Sequence, residues 1–186
     1  MSRRPLLFLD VDGPLNPYAT PSGTCPEGYV TVHLPPEARR SSAAGGPRSY
    51  ERPATVWLNP AHGAALLSLG FELRWATAWM GDANRWIGPV LGLPALPFVD
   101  FGAALMRERP DGVHWKSVPL VAHAAGRAFA WVDDEQTEAD HTHVLATRLG
   151  RRTLLHHVNP RTGLGPEDFT ALAAFAATPE GPAPES

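Results

Sequence analysis

Asp10-Val11-Asp12-Gly13 sets two carboxylates two positions apart and follows them with a glycine, which lets backbone approach closely. Far along the chain, Asp133-Asp134 supplies two more carboxylates, Thr77 a hydroxyl and Lys116 an ammonium. Carboxylates suit hard-cation binding, nucleophilic attack or proton transfer; a hydroxyl and an ammonium suit an anionic oxygen. Each feature also has a plainer reading on its own. A D-x-D after an apolar run is also a solvated turn, threonine is common in strands and at helix N-caps, and acids gather at helix N-termini. Composition sets Lys116 apart: the chain has fifteen Arg and this one Lys, and the two cations differ in shape, hydration and pKa.

The surrounding pattern alternates strand and helix. Leu6 to Leu9 is a short continuous apolar run, as in a strand buried on both faces. Asn59 to Leu69 reads as a helix with Pro60 at its first position and Gly70 as its stop, and Glu72 to Ala76 as a second strand. A helix over Asp82 to Leu91, a third strand over Leu96 to Phe101 and a helix opening around Trp115 follow. Ala128 to Val132 reads as a fourth strand, Glu138 to Leu149 as a helix, Thr153 to Val158 as a fifth strand and Pro166 to about Ala176 as the last helix. Such alternation predicts a doubly wound, Rossmann-like three-layer α/β sandwich with a five-stranded, mainly parallel sheet. The acids, Thr77 and the approach to Lys116 then fall at the carboxyl edge of that sheet, where such folds keep their chemistry.

Residues 14–60 hold nine of the twenty prolines and the run Ser41 to Pro47, so 14–58 reads as an insertion after the first strand. Within it, Tyr29 to Leu34 and Thr55 to Leu58 suit a small β-flap. The expectation is one domain over 1–176 and a disordered tail over 177–186. At 44% hydrophobic and 19% charged residues, the composition excludes a collagen-like, coiled-coil or wholly disordered chain. Cys25 is the one cysteine, which excludes an internal disulfide framework and a Cys-based zinc site. No stretch approaches the length of a membrane span, and the chain reads as soluble and cytoplasmic. A net charge of -3 argues against stable binding to duplex DNA.

Taken together and in this order, the motifs resemble the haloacid dehalogenase-like (HAD) superfamily. They are Leu6-Leu7-Phe8-Leu9-Asp10-Val11-Asp12-Gly13, then Thr77, Lys116 and Asp133-Asp134. A receiver domain uses similar side chains, but its phosphorylated Asp lies on a middle strand and its Lys follows the Thr on the last one. A nucleotide-sugar transferase shares only the D-x-D. The stretch Thr77-Ala78-Trp79 with Asp82-Ala83-Asn84 also looks like HAD domains of bacterial RNA-repair proteins. Pro14 departs from the family pattern, which often has Thr there, and removes a backbone N–H.

The resemblance implies a phosphatase. Asp10 would be the nucleophile of an aspartyl-phosphate intermediate, Asp12 the general acid and base, and Thr77 and Lys116 the partners of the phosphoryl oxygens. Four carboxylates against one ammonium call for a hard divalent cation, most simply Mg²⁺. Its ligands would be Asp10, the Asp12 backbone carbonyl, Asp133 and Asp134. Too few residues separate Thr77 from Lys116 to hold a large cap, so the site is expected to be open. That suits bulky phosphorylated substrates such as nucleotides or nucleic-acid ends, with Trp79 and the adjacent Ala78 as substrate contacts. Trp79 would either stack a flat group at the mouth or pack under the flap. The alternative function is a HAD-fold binding or regulatory module with little turnover. Arg148, Arg151 and Arg152 read as a solvated cluster, and His156 and His157 as structural, one of them bordering the site.

Overall fold

The structure, a computed structural model, describes residues 3–39, 52–148 and 150–178. In chain order its elements are β1 (Leu6–Leu9), β2 (Val30–His33), α1 (Pro36–Arg39), β3 (Thr55–Leu58), α2 (Ala61–Ser68), β4 (Glu72–Trp75), α3 (Asp82–Trp86), α4 (Gly88–Leu91), α5 (Ser117–Ala124), β5 (Phe129–Asp133), α6 (Glu138–Arg148), β6 (Thr153–His157) and α7 (Pro166–Ala177). The result is an α/β fold with a four-stranded parallel sheet in the order β4-β1-β5-β6 and a separate antiparallel pair β2-β3.

All four residues of β1 are buried, as their unbroken apolar run requires of an inner strand. Side chains alternate between the two faces of a strand. Leu7, Leu9, Leu73, Trp75, Ala130 and Val132 accordingly share one core cluster with Leu66, Leu91 and Leu172 from α2, α4 and α7. Leu6, Phe8, Phe129 and Trp131 belong to a second, with Leu120 of α5 and Val144 of α6. The expected flap pair forms, with Val30 opposite Leu58 and His33 opposite Thr55. Val56 and Leu58 join the first core cluster, which fastens β3 to the body. Truncating either to Ala would cost about 2–4 kcal/mol as a cavity.

Three expectations are corrected. The strand expected at Leu96 to Phe101 is a single bridge between Phe98 and Trp75, with Trp75 N–H donating to Pro97 O and Val99 N–H to Trp75 O at 2.9 Å each. Pro97, within that stretch, lacks the N–H group a ladder needs. The helix expected over 82–91 is two short ones, α3 and α4, broken at Ile87. Pro89 cannot donate into a continuous helix and would crowd the carbonyl four residues earlier. The last helix runs to Ala177, inside the expected tail. The rest of that tail from 179, and the run Ser41 to Pro47, lie outside the described residues. Among those described, no helix is long and apolar enough to cross a membrane.

Register decides what meets at the carboxyl edge. Leu9 lies beside both Trp75 and Val132, so Asp10 and Asp133 emerge on adjacent strands at the same height. Asp10 N–H donates to Val132 O at 3.1 Å and Ala76 N–H to Leu9 O at 2.9 Å. Lys116 comes to the same edge at the residue preceding α5.

Candidate active site

Lys116 is the hub. Its ammonium lies 2.7 Å from Asp10 Oδ2 and 2.7 Å from Asp133 Oδ2, with all three side chains buried. Burial works against a charged lysine, but the two carboxylates outweigh it and push its pKa up. Asp10 is driven the other way: burial raises its pKa well above the ordinary range, Lys116 opposes this, and Asp133 and Asp12 add repulsion. Backbone and side chains hold the geometry. Val11 N–H donates to Asp10 Oδ1 at 2.7 Å; Trp131 Nε1–H to Asp133 Oδ2 at 2.9 Å; Glu135 N–H to Asp133 Oδ1 at 3.0 Å.

Asp12 and Asp134 flank this hub on the turn after β1 and just past β5. Asp12 Oδ1 accepts from Asn16 Nδ2–H and Oδ2 from Trp79 Nε1–H, both at 2.8 Å. Burial raises the Asp12 pKa against the opposing effect of those two donors. Asp134 Oδ2 accepts from the Tyr18 hydroxyl at 2.6 Å. Burial lifts Asp134 to about 6, Tyr18 opposes this, and Asp133 and Glu135 add to the lift. Gly13 permits the packing: its φ is +86°, and a Cβ there would stand 2.3 Å from Asp134 Cγ. Any other residue would be strained and would collide with the carboxylate.

Asp10, Asp133 and Asp134 each offer an oxygen, and the three oxygens lie within 4.8 Å of one another. An all-oxygen set, in which burial first and neighbouring carboxylates second raise the pKa of Asp10 and Asp134, fits a hard divalent cation. The cluster borders a pocket of about 320 Å³ lined by Asp10, Asp12, Lys116 and Asp134, with Tyr18 and Trp115 among its walls. A second cavity of about 430 Å³ shares the Trp115 wall and carries Arg107 and Val118.

Of the residues singled out from sequence, Asp10, Asp12, Lys116, Asp133 and Asp134 are thus brought together. Ala78 lines the pocket. Thr77 is buried behind it, its hydroxyl accepting the Trp79 N–H at 3.3 Å. Of its two expected places, Trp79 takes the buried one, with no exposed ring face to stack a substrate. His156 and His157 are not in the pocket lining; His156 Nε2 meets Asp168 Oδ1 at 2.8 Å beside the start of α7. Arg148 is not part of a solvated cluster: it is buried with its guanidinium 4.7 Å from the Phe129 ring centroid, closing the core below β5.

Sequence reading missed Asn16, Tyr18, Arg52 and Trp115. Asn16 had a usable signal, four residues after Asp12 in a turn; Tyr18 and Arg52 act on partners remote in sequence. No family model, curated protein or solved structure matches the chain.

Proposed function

We propose that the protein is a Mg²⁺-dependent phosphohydrolase of the HAD type that works through an aspartyl phosphate on Asp10, in a doubly wound sheet of that superfamily's kind. The observation that carries this reading is the buried Lys116 ammonium held between Asp10 and Asp133 at 2.7 Å from each, in the lining of a pocket. A lysine placed only for stability gains little from two carboxylates that are themselves costly to bury. One placed to balance a nucleophile and a metal ligand has a reason to be there.

The Asp10, Asp133 and Asp134 carboxylates and the Asp12 carbonyl would hold the ion. When bound, it offsets the negative charge of the site and polarises phosphoryl oxygens. Asp10 attacks phosphorus and the ester P–O bond breaks, leaving the phosphoryl group on the Asp10 carboxylate. Asp12 gives its proton to the departing oxygen. Asp12 then takes a proton from water as that water attacks phosphorus, and the phosphorus–Asp10 bond breaks to release inorganic phosphate. Lys116 stays charged throughout and faces the charge building on the transferring group.

Substrate size follows from the walls. The second cavity lies on another side of Trp115, which lines both, and we take it as the place for a leaving group larger than a small metabolite. Nucleotides and phosphorylated polynucleotide ends are the favoured class.

The deciding experiment measures phosphate release from 4-nitrophenyl phosphate and from 3′- and 5′-phosphorylated oligonucleotides, with Mg²⁺ and with chelator. Hydrolysis that needs Mg²⁺ and disappears in Asp10→Asn supports the proposal; unchanged activity in that variant overturns the nucleophile. A beryllofluoride adduct on Asp10 separates an enzyme from a binding module.

A further inference from the structure

Asp12 is held by two side chains that each lead to the flap. Asn16 donates to Oδ1 while its own Oδ1 accepts the Trp57 N–H of β3 at 2.9 Å. Trp79 donates to Oδ2 from a buried indole, and over that ring, 4.4 Å from its centroid, lies the guanidinium of Arg52. Arg52 stands just before β3 and is itself buried; it donates to Ala38 O at 2.9 Å, Asp82 Oδ2 at 2.9 Å and Trp79 O at 3.3 Å. Its Nε has no hydrogen-bond partner among the described residues. A buried guanidinium with an unused donor is a poor choice for stability alone. Its flat face, though, fixes an indole plane as no lysine would.

Met80, the next residue after Trp79, has φ +51°, an uncommon conformation for a side chain other than Gly, Asn or Asp.

We infer that Asn16, Trp79 and Arg52 are positioning residues through which the flap fixes the orientation of the Asp12 carboxylate. The inference rests on the reading of Asp12 as the proton-transfer group. Each Asp12 oxygen accepts one N–H and keeps a further lone pair, so the carboxylate plane is locked while a proton can still be carried. Neither Trp79 nor Arg52 touches substrate; both act through Asp12.

The test uses the full chain with Mg²⁺ and two esters. A 4-nitrophenolate leaves without a proton, whereas an alkoxide from an alkyl phosphate needs one. Trp79→Phe keeps the ring and loses the N–H; Arg52→Met removes the guanidinium that lies over the ring. Both should lower kcat on the alkyl ester at least about tenfold more than on the aryl ester, with little change in KM. Equal losses on the two esters would make these residues merely structural and overturn the inference.

A second measurement separates this failure from that of the phosphohydrolase reading. In ¹⁵N spectra, the Trp79 indole N–H signal, assigned by its loss in Trp79→Phe, should move in Asp12→Ala and in Arg52→Met. A signal that moves in neither overturns the positioning alone. Wild-type protein that hydrolyses neither ester overturns the assignment of Asp12 and, with it, the catalytic part of the inference.

Discussion

The two ends of the parallel sheet carry charge of opposite sign and in opposite style. At the carboxyl end, Asp10, Asp12, Asp133 and Asp134 face a single ammonium, and the central trio of Asp10, Asp133 and Lys116 is buried. At the amino end, Glu72 is gripped by two guanidinium groups, Arg127 at 2.6 Å and Arg74, and its side chain is 38% exposed. The amino end has the form of an ordinary stabilising ion pair, where excess cation lowers the pKa of the acid. At the carboxyl end burial above all raises Asp10, Asp12 and Asp134, and neighbouring carboxylates add to the rise at Asp10 and Asp134. A sheet that pairs its charges at one end and buries an excess of carboxylates at the other has the contrast expected if the second end is a site.

The largest effects expected from this contrast lie in the hub. Asp10→Asn should reduce phosphate release by about a thousandfold or more, since the amide is no nucleophile. Lys116→Arg keeps the formal charge of -3 and should still lower kcat by about a hundredfold, because a planar guanidinium cannot repeat two 2.7 Å contacts to carboxylates on adjacent strands. The matching change at the amino end, Arg127→Lys, should leave kcat within about twofold. A large loss there would show that the two ends are coupled.

Next in size is the response to the ion. Mg²⁺ should raise the melting temperature of the wild-type protein, by mass action on the folded state. In Asp133→Asn that rise should vanish, and in Asp134→Asn it should shrink. A rise that survives in Asp133→Asn would place the ion elsewhere.

How much of this was visible before the fold follows from where the partners lie. Asp10, Lys116 and Asp133 stand at or next to the ends of elements with strong local signals, so the strand–helix alternation, with the order of the motifs, put them at one sheet edge. The β2-β3 pair was legible as two short β-prone runs in a Pro-rich stretch. Arg52 and Tyr18 gave no such signal: their interactions reach Trp79 and Asp134, across 27 and 116 residues, and no periodicity records them. Trp79 was legible as a site neighbour but not its direction, which goes with contacts to Asp12 and Arg52, remote from it in sequence. The strand expected at Leu96 to Phe101 failed for a reason the sequence did contain, since Pro97 inside it removes a ladder donor. Arg148 misled because a charged helix end ordinarily faces water, and here Phe129 supplies a ring for it to cover.

Acid titration distinguishes the two ends by sign. Asp134 is raised in the folded, metal-free protein from an ordinary 3.8 to about 6, so the folded state holds that proton more tightly than the unfolded one. Its contribution to stability is complete below the unfolded pKa and lost as pH rises through about 6. Metal-free wild-type protein should therefore lose melting temperature across that interval, and Asp134→Asn should flatten the loss. Glu72 is lowered from an ordinary 4.5, chiefly by the Arg127 hydrogen bond, and its contribution has the opposite course: present above that ordinary value, lost as pH falls through the depressed one. Glu72→Gln should remove that acid-side loss. Solvent screens this pair, so its stabilisation is under about 1 kcal/mol and should fade in high salt. If Glu72→Gln instead altered the slope near pH 6, where Asp134 titrates, the two ends would not be electrostatically independent, and the separation of a stabilising end from a working end would fail.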